Sequence, residues 1–117
     1  MLFNYKSYLK KIVNCIIEIL KDKKPRIFLF GSALEGNLVA ASDIDIMIVA
    51  DVPNSLIAKT KILCQIEDKL NFPFYHPFEF HLLNSNQFEF YKKAYGLKLK
   101  ELIPDLKEEN KNNKNKE

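Results

Sequence analysis

The sequence predicts an α/β (α+β) fold in which helices pack on one face of a small mixed β-sheet. Three observations predict it. Two apolar runs, at 27–30 and 43–50, read as strands on either side of a glycine-containing segment. Apolar residues at helical spacing come before the first run and after the second. A third run, 75–83, is rich in aromatic residues and alternates toward its end, which is typical of another strand.

The chain length allows one domain with a modest core, since 117 residues are too few for two. We expect a folded domain over residues 1–104 and a disordered polar tail over residues 105–117, because the final run KEENKNNKNKE has no apolar side chain to bury. Cys15 and Cys64 fall within predicted helices and lack metal-ligand spacing, so we expect two small buried thiols in a reducing compartment.

Charge and hydropathy exclude several classes of protein. The net charge of +3, with lysines scattered along the chain, argues against a nucleic-acid partner. No apolar run reaches transmembrane length, and Lys6, Lys10 and Lys11 interrupt the region where a signal peptide would need an apolar core. These features favour a cytoplasmic protein without membrane association.

Helical spacing predicts two core helices and a shorter third one. The first runs from Asn4 to Lys21 and ends before Pro25, which cannot continue a helix. The second follows a cap at Asn54 or Ser55. Its predicted apolar stripe consists of Leu56, Ile57, Leu63, Ile66 and Leu70. The third begins at Asn84–Ser85 and should dock on the sheet through Phe88, Tyr91 and Tyr95. The run 97–103 is amphipathic and fits either a strand or a helix.

Two carboxylates, Asp43 and Asp45, open the second strand. Residues two apart in a strand share a face, so these carboxylates lie together on one face. The alternate positions Ile44, Ile46 and Ile48 point into the core. Close carboxylates repel each other unless a cation lies between them, and their hard oxygens suit Mg²⁺ or Mn²⁺. Upstream, Gly31 lets the backbone turn or approach a ligand, and the amides after Ser32 are suited to phosphate. Phosphoryl or nucleotidyl transfer needs this combination.

The third strand carries another carboxylate between two phenylalanines. Alternation directs Phe78, Phe80 and Leu82 to the core and places Glu79 and His81 on the opposite face. Glu79 is then either a site residue or an edge-strand residue that faces water, and the preceding Pro77 is compatible with an edge. His81 could lie near the metal site and tune Glu79, but such a histidine is more often a half-exposed strand residue, so we assign it no role.

The spacing of Gly31-Ser32, ten residues, then Asp43-Ile44-Asp45 within an apolar strand resembles the minimal nucleotidyltransferases of the DNA polymerase β superfamily. The resemblance extends from Ile27 to about Leu83. It implies a polymerase-β-type core in which Asp43 and Asp45 bind the Mg²⁺ or Mn²⁺ ions that carry a nucleoside triphosphate. It further implies that Glu79 is the third acid, and that Gly31 and Ser32 hold the phosphates.

The resemblance also implies a reaction: transfer of a nucleoside monophosphate, AMP from ATP, to an acceptor hydroxyl. The acceptor would come from another polypeptide or from self-association. Stand-alone domains that look like this one are often antitoxins of a small helical RNase toxin of the HEPN class, and they place AMP on a toxin tyrosine. The alternative is an inactive binding module of the same fold that masks a partner. Glu35 stands where the family typically has arginine, which reverses a charge near the expected triphosphate.

Overall fold

The computed structural model describes residues 6–31, 44–73 and 76–104. The elements within these ranges are α1 (Lys6–Leu20), β1 (Arg26–Phe30), β2 (Ile44–Val49), α2 (Leu56–Leu70), β3 (Phe78–Leu83), α3 (Ser85–Tyr95) and β4 (Leu99–Leu102). The four strands form one sheet in the order β3-β2-β1-β4. Strand β1 is antiparallel to β2 and β4, whereas β2 and β3 are parallel. The predicted α/β class with a small mixed sheet is therefore confirmed, and the ambiguous run near the C-terminal end is strand β4.

One face of the sheet forms the main core. The isoleucines of β2 on the side opposite Asp45 are buried there, together with apolar residues of α1 and α2. Those isoleucines are Ile44, Ile46 and Ile48, which are at most 2% exposed. Alternation predicted this face for β2, and it also correctly predicted the core side of β3, where Phe78 and Leu82 are buried.

The predicted apolar stripe of α2 is right only toward its C-terminal end. Ser55 caps the helix through its side chain, as predicted, and Ile66 and Leu70 are buried. Leu56 and Ile57 are 82% and 71% exposed, so their assignment to the core is wrong. Helical periodicity tells which residues share a side of a helix, but burial also requires a partner beneath that side, and the first turn of α2 has none among the described residues.

The two cysteines differ in burial. Cys15 of α1 is buried, and burial raises the pKa of its thiol above the ordinary value. Cys64 is exposed, which contradicts the prediction of two buried thiols. It precedes the buried Ile66 by two residues, and two residues are about 200° of helical rotation, so its side chain lies on the outer side of α2.

The third helix packs on the other face of the sheet, so the prediction that the helices share one face is wrong for α3. A capping box between Asn84 and Gln87 starts α3. Phe88 is buried in a second apolar cluster with residues of β1 and β2, and its ring stacks on that of Phe28 at a centroid distance of 5.0 Å. Tyr95 is 67% exposed, so α3 docks through Phe88 and not through the whole predicted set. Among the described residues, this helix covers the end of the face that carries Phe28, Met47 and Val49.

None of the helices that the structure describes combines the length and the apolarity needed to span a bilayer. Several predictions fall outside the described ranges. They concern Ser32, Glu35, Asp43 and the polar tail at 105–117, and they stay predictions.

The stacking of Phe88 on Phe28 predicts a stability difference between two phenylalanines of one helix. Phe88→Ala should lower the free energy of unfolding by about 3 kcal/mol, because it empties a buried ring position. The matched control is Phe90→Ala, since Phe90 is 65% exposed, and it should change that free energy by less than about 0.5 kcal/mol. Urea denaturation followed by circular dichroism measures both, and equal losses would contradict the packing described for α3.

Candidate functional site

The parallel pairing of β2 with β3 places Asp45 directly opposite Glu79. Both residues alternate with core residues in their own strands, so both side chains leave the sheet on the face that α3 only partly covers. Glu79 had two interpretations, a site residue or an edge-strand residue in water. The structure makes β3 an edge strand among the described strands and also sets Glu79 beside a second carboxylate.

His81 completes a cluster with these two carboxylates. Its Nε2 atom lies 3.2 Å from Oδ1 of Asp45 and 3.7 Å from Oε1 of Glu79. One possible metal-ligating atom from each of the three residues lies within 4.8 Å of the other two. The side chains of Asp45, Glu79 and His81 are 26%, 52% and 36% exposed, so the cluster is open to a ligand from solvent. The ring of Phe30 meets the imidazole edge-on, at a centroid distance of 5.3 Å, and supports it from the β1 side.

Gly31 closes the cluster from the end of β1. Its φ angle is +83°, a backbone conformation that residues with a Cβ atom rarely adopt. A Cβ atom at this position would lie 2.7 Å from Oδ2 of Asp45, which is shorter than such contacts allow. Glycine is therefore needed here for two independent reasons, the backbone angle and the close approach to a carboxylate. Sequence reasoning predicted a turn or a close approach to a ligand at Gly31, but it did not identify Asp45 as the neighbouring group.

Among the residues predicted for the site, the structure brings together Gly31, Asp45 and Glu79. Asp43 and Ser32 lie outside the described residues. Sequence reasoning considered a position near the metal site for His81 but assigned it no role. Alternation in β3 gave the one available signal, because it placed His81 on the face of Glu79, but the contact with Asp45 depends on the pairing of two strands that are far apart in the sequence.

The donor set fits a divalent cation. Two carboxylates and an imidazole are common protein ligands for such ions, and the closeness of Asp45 to Glu79 is electrostatically favourable only with a positive charge nearby. Because Gly31 has no Cβ atom, there is space beside Oδ2 of Asp45. The other carboxylate oxygen, Oδ1, is the one within hydrogen-bonding distance of His81. Asp45 and Glu79 are thus the described residues that would hold a cation.

Comparison with known proteins agrees with this arrangement. The family described as "Polymerase beta, Nucleotidyltransferase" matches residues 14–103 of the chain. Among curated proteins, no match was found. The crystal structure of a provisionally assigned nucleotidyltransferase is 30% identical, with a TM-score of 0.63, and the match covers 83% of this chain and 99% of that one.

Two further solved structures are more distant. A provisionally assigned nucleotidyltransferase from Sulfolobus solfataricus has a TM-score of 0.55 and 16% identity, over 71% of this chain and 69% of that one, and shows similarity of fold alone. The structure described as a toxin-antitoxin with AMP-PNP is 26% identical over 78% of this chain and 72% of that one. Its TM-score of 0.46 is too low to support a conclusion about this chain.

The contact between Gly31 and Asp45 predicts a difference between two glycines. Gly31 and Gly96 both have positive φ, but a Cβ atom at Gly96 would meet nothing within 4 Å. Gly96→Ala should therefore show the backbone cost alone, about 1 kcal/mol, whereas Gly31→Ala should lose at least about 1 kcal/mol more. Urea denaturation gives both values.

A double-mutant cycle identifies the cause of the extra loss. In the Asp45→Ala background the carboxylate that the new methyl group would meet is gone. The loss of unfolding free energy caused by Gly31→Ala, measured relative to Asp45→Ala, should therefore fall to about that of Gly96→Ala. An unchanged loss in the double variant would show that the carboxylate contact is not its cause.

Proposed function

The chain belongs to the polymerase beta nucleotidyltransferase family, and we propose that it is a metal-dependent enzyme that transfers a nucleoside monophosphate, AMP from ATP, to an acceptor hydroxyl. The pairing of Asp45 with Glu79 across parallel strands carries this proposal. It sets two carboxylates side by side on the face of the sheet opposite the main core, with side chains that are 26% and 52% exposed. Family membership supports transfer chemistry, and the carboxylate pair supplies a place for it.

Each site residue has a proposed role. Asp45 and Glu79, together with Asp43, would hold Mg²⁺ or Mn²⁺. Such ions would neutralise the charge of a triphosphate and stabilise the attacking and leaving oxygens. Gly31 and Ser32 would bind the outgoing phosphates through their backbone amides, at a point where a side chain on Gly31 would obstruct Asp45.

The proposed reaction is a substitution at the α-phosphorus. The acceptor oxygen forms a bond to that phosphorus, and the bond from phosphorus to the oxygen that bridges to the β-phosphate breaks. Pyrophosphate leaves with the electron pair of the broken bond. In this proposal Glu79, whose side chain is 52% exposed, accepts the proton of the acceptor hydroxyl.

We propose that a second protein supplies the acceptor. The family resemblance suggests a small helical partner of the HEPN type with an acceptor tyrosine, and self-association is the other arrangement. An exposed aromatic surface on α3 supports a protein partner: Phe90, Tyr91 and Tyr95 form a chain of ring contacts, each with centroids 5.6 Å apart. Exposed aromatic groups of this kind are typical of protein interfaces. The two free cysteines agree with a reducing cytoplasm as the place of action.

The same aromatic surface favours a second candidate function. A binding module of this fold would use α3 to cover a partner and would need no cation or nucleotide. The two functions differ in their dependence on the carboxylates, because masking requires the surface of α3 whereas transfer requires Asp45 and Glu79.

Binding of ATP should depend on the carboxylates. Calorimetric titration of ATP with Mg²⁺ into the full chain should show binding that is lost without the metal. Asp45→Asn should weaken it at least tenfold, about 1.4 kcal/mol, because a neutral amide cannot replace a charged ligand. The matched control is Asp68→Asn, since Asp68 is exposed on α2, which packs on the opposite face of the sheet, and it should leave binding unchanged. Absence of binding in the unmodified chain would contradict nucleotide transfer by the chain alone.

Transfer and masking can be separated with a coexpressed helical partner. With ATP labelled at the α-phosphate, the unmodified chain should transfer label to the partner, and Asp45→Asn should reduce the rate about 100-fold or more while the two proteins still copurify. If the unmodified chain transfers no label and Asp45→Asn neutralises the partner equally well, masking is the function.

A further inference from the structure

We propose that His81 is a third ligand of the cation held by Asp45 and Glu79, and that the site therefore prefers a first-row transition metal ion to Mg²⁺. The inference rests on the proposed metal site and adds a residue and a metal class to it. It concerns the described residues alone, and the sequence analysis assigned no role to His81.

The distances within the cluster support ligation. Ligands about 2.1 Å from a shared ion are separated by roughly 3.0 Å when they are adjacent in an octahedron and by roughly 3.5 Å in a tetrahedron. The Nε2 atom of His81 lies 3.2 Å from Oδ1 of Asp45 and 3.7 Å from Oε1 of Glu79. Both separations are near those values, and all three ligand atoms lie within 4.8 Å of one another.

The orientation of His81 also supports ligation. The nitrogen that faces the carboxylates is Nε2, and strand alternation directs the whole side chain to the open face. The edge-on contact with Phe30 restrains the ring in this orientation. A ligand whose orientation is fixed before binding loses less entropy when the ion arrives.

An imidazole nitrogen changes the metal preference of a carboxylate site. Mg²⁺ strongly favours oxygen ligands, whereas imidazole suits cobalt, nickel and zinc ions and raises their affinity along the series of first-row metals. An imidazole that joins the carboxylates should therefore raise the affinity for Co²⁺ relative to Mg²⁺ above that of a site of carboxylates alone. The competing explanation is that His81 only donates a hydrogen bond to Asp45 and orients it, without reaching the ion.

The test is a metal titration in the absence of nucleotide. Mg²⁺ and Co²⁺ are titrated into the full chain by calorimetry, and into His81→Gln, which keeps a hydrogen-bond donor but removes the imidazole. The control is His76→Gln, because His76 is the second of two histidines and packs against Phe72 and Phe78 on the core face. We expect His81→Gln to weaken Co²⁺ binding roughly tenfold or more, with a much smaller change for Mg²⁺. We expect His76→Gln to change neither.

A second readout does not depend on a variant. In a chain with ¹⁵N-labelled histidine, substoichiometric Mn²⁺ should broaden the imidazole signals of His81 and leave those of His76 sharp. Selective broadening would show that the ion lies beside His81, and selective loss of Co²⁺ affinity in His81→Gln would then identify His81 as a ligand, since a histidine that only orients Asp45 would also be broadened.

The outcomes separate this inference from the proposed function. If Asp45→Asn removes metal binding but His81→Gln leaves the ratio of Co²⁺ to Mg²⁺ affinity unchanged, His81 only orients Asp45, and the inference is wrong while the proposed metal site stands. If the unmodified chain binds neither metal, with or without ATP, the proposed function fails and the inference fails with it.

Discussion

The parallel pairing of β2 with β3 is the constraint on which the rest of the structure depends. Two parallel neighbours cannot be joined by a tight turn, so the chain must cross over the sheet between them, and α2 is that crossover. The crossover helix and α1 then cover the same face and bury the isoleucines of β2. A shift of one residue in this pairing would turn Asp45 toward the core and the isoleucines toward water, so the hydrophobic core fixes the register that also aligns the carboxylates.

The second face of the sheet is divided along the strands. Toward the C-terminal end of β2, Met47 and Val49 are buried with Phe28 beneath Phe88 of α3. Toward its N-terminal end, Asp45 lies among polar and half-exposed neighbours. The capping box at the start of α3 holds the helix over the apolar half. The open half can therefore serve ligands, while the covered half supplies the burial that keeps the sheet in place.

The parts of this structure that follow from local patterns could be predicted from the sequence. Periodicity gave the helices, alternation gave the faces of β2 and β3, and Glu79 was placed correctly on the polar side of its strand. What could not be predicted depends on contacts between distant segments. The exposure of Leu56 and of Cys64 depends on where α2 finds a partner, and the contact of His81 with Asp45 depends on a pairing between strands over thirty residues apart. Asp43 and Ser32, predicted from the same motif, lie outside the described residues and stay predictions.

The cluster around Asp45 opposes stability in more than one way, and this favours a functional origin. Like charges directly opposite each other on paired strands are unfavourable by a few tenths of a kcal/mol to about 1 kcal/mol. Gly31 adds the conformational freedom that any glycine loses on folding, about 0.5–1 kcal/mol relative to alanine, at a position where no other residue fits. A sequence selected for stability alone would replace either carboxylate with a residue that packs. Natural proteins accept such local conflicts mainly at functional sites, where the strained or repelling groups contact a ligand. The conflict at Asp45, Glu79 and Gly31 therefore supports the site independently of the family to which the chain belongs.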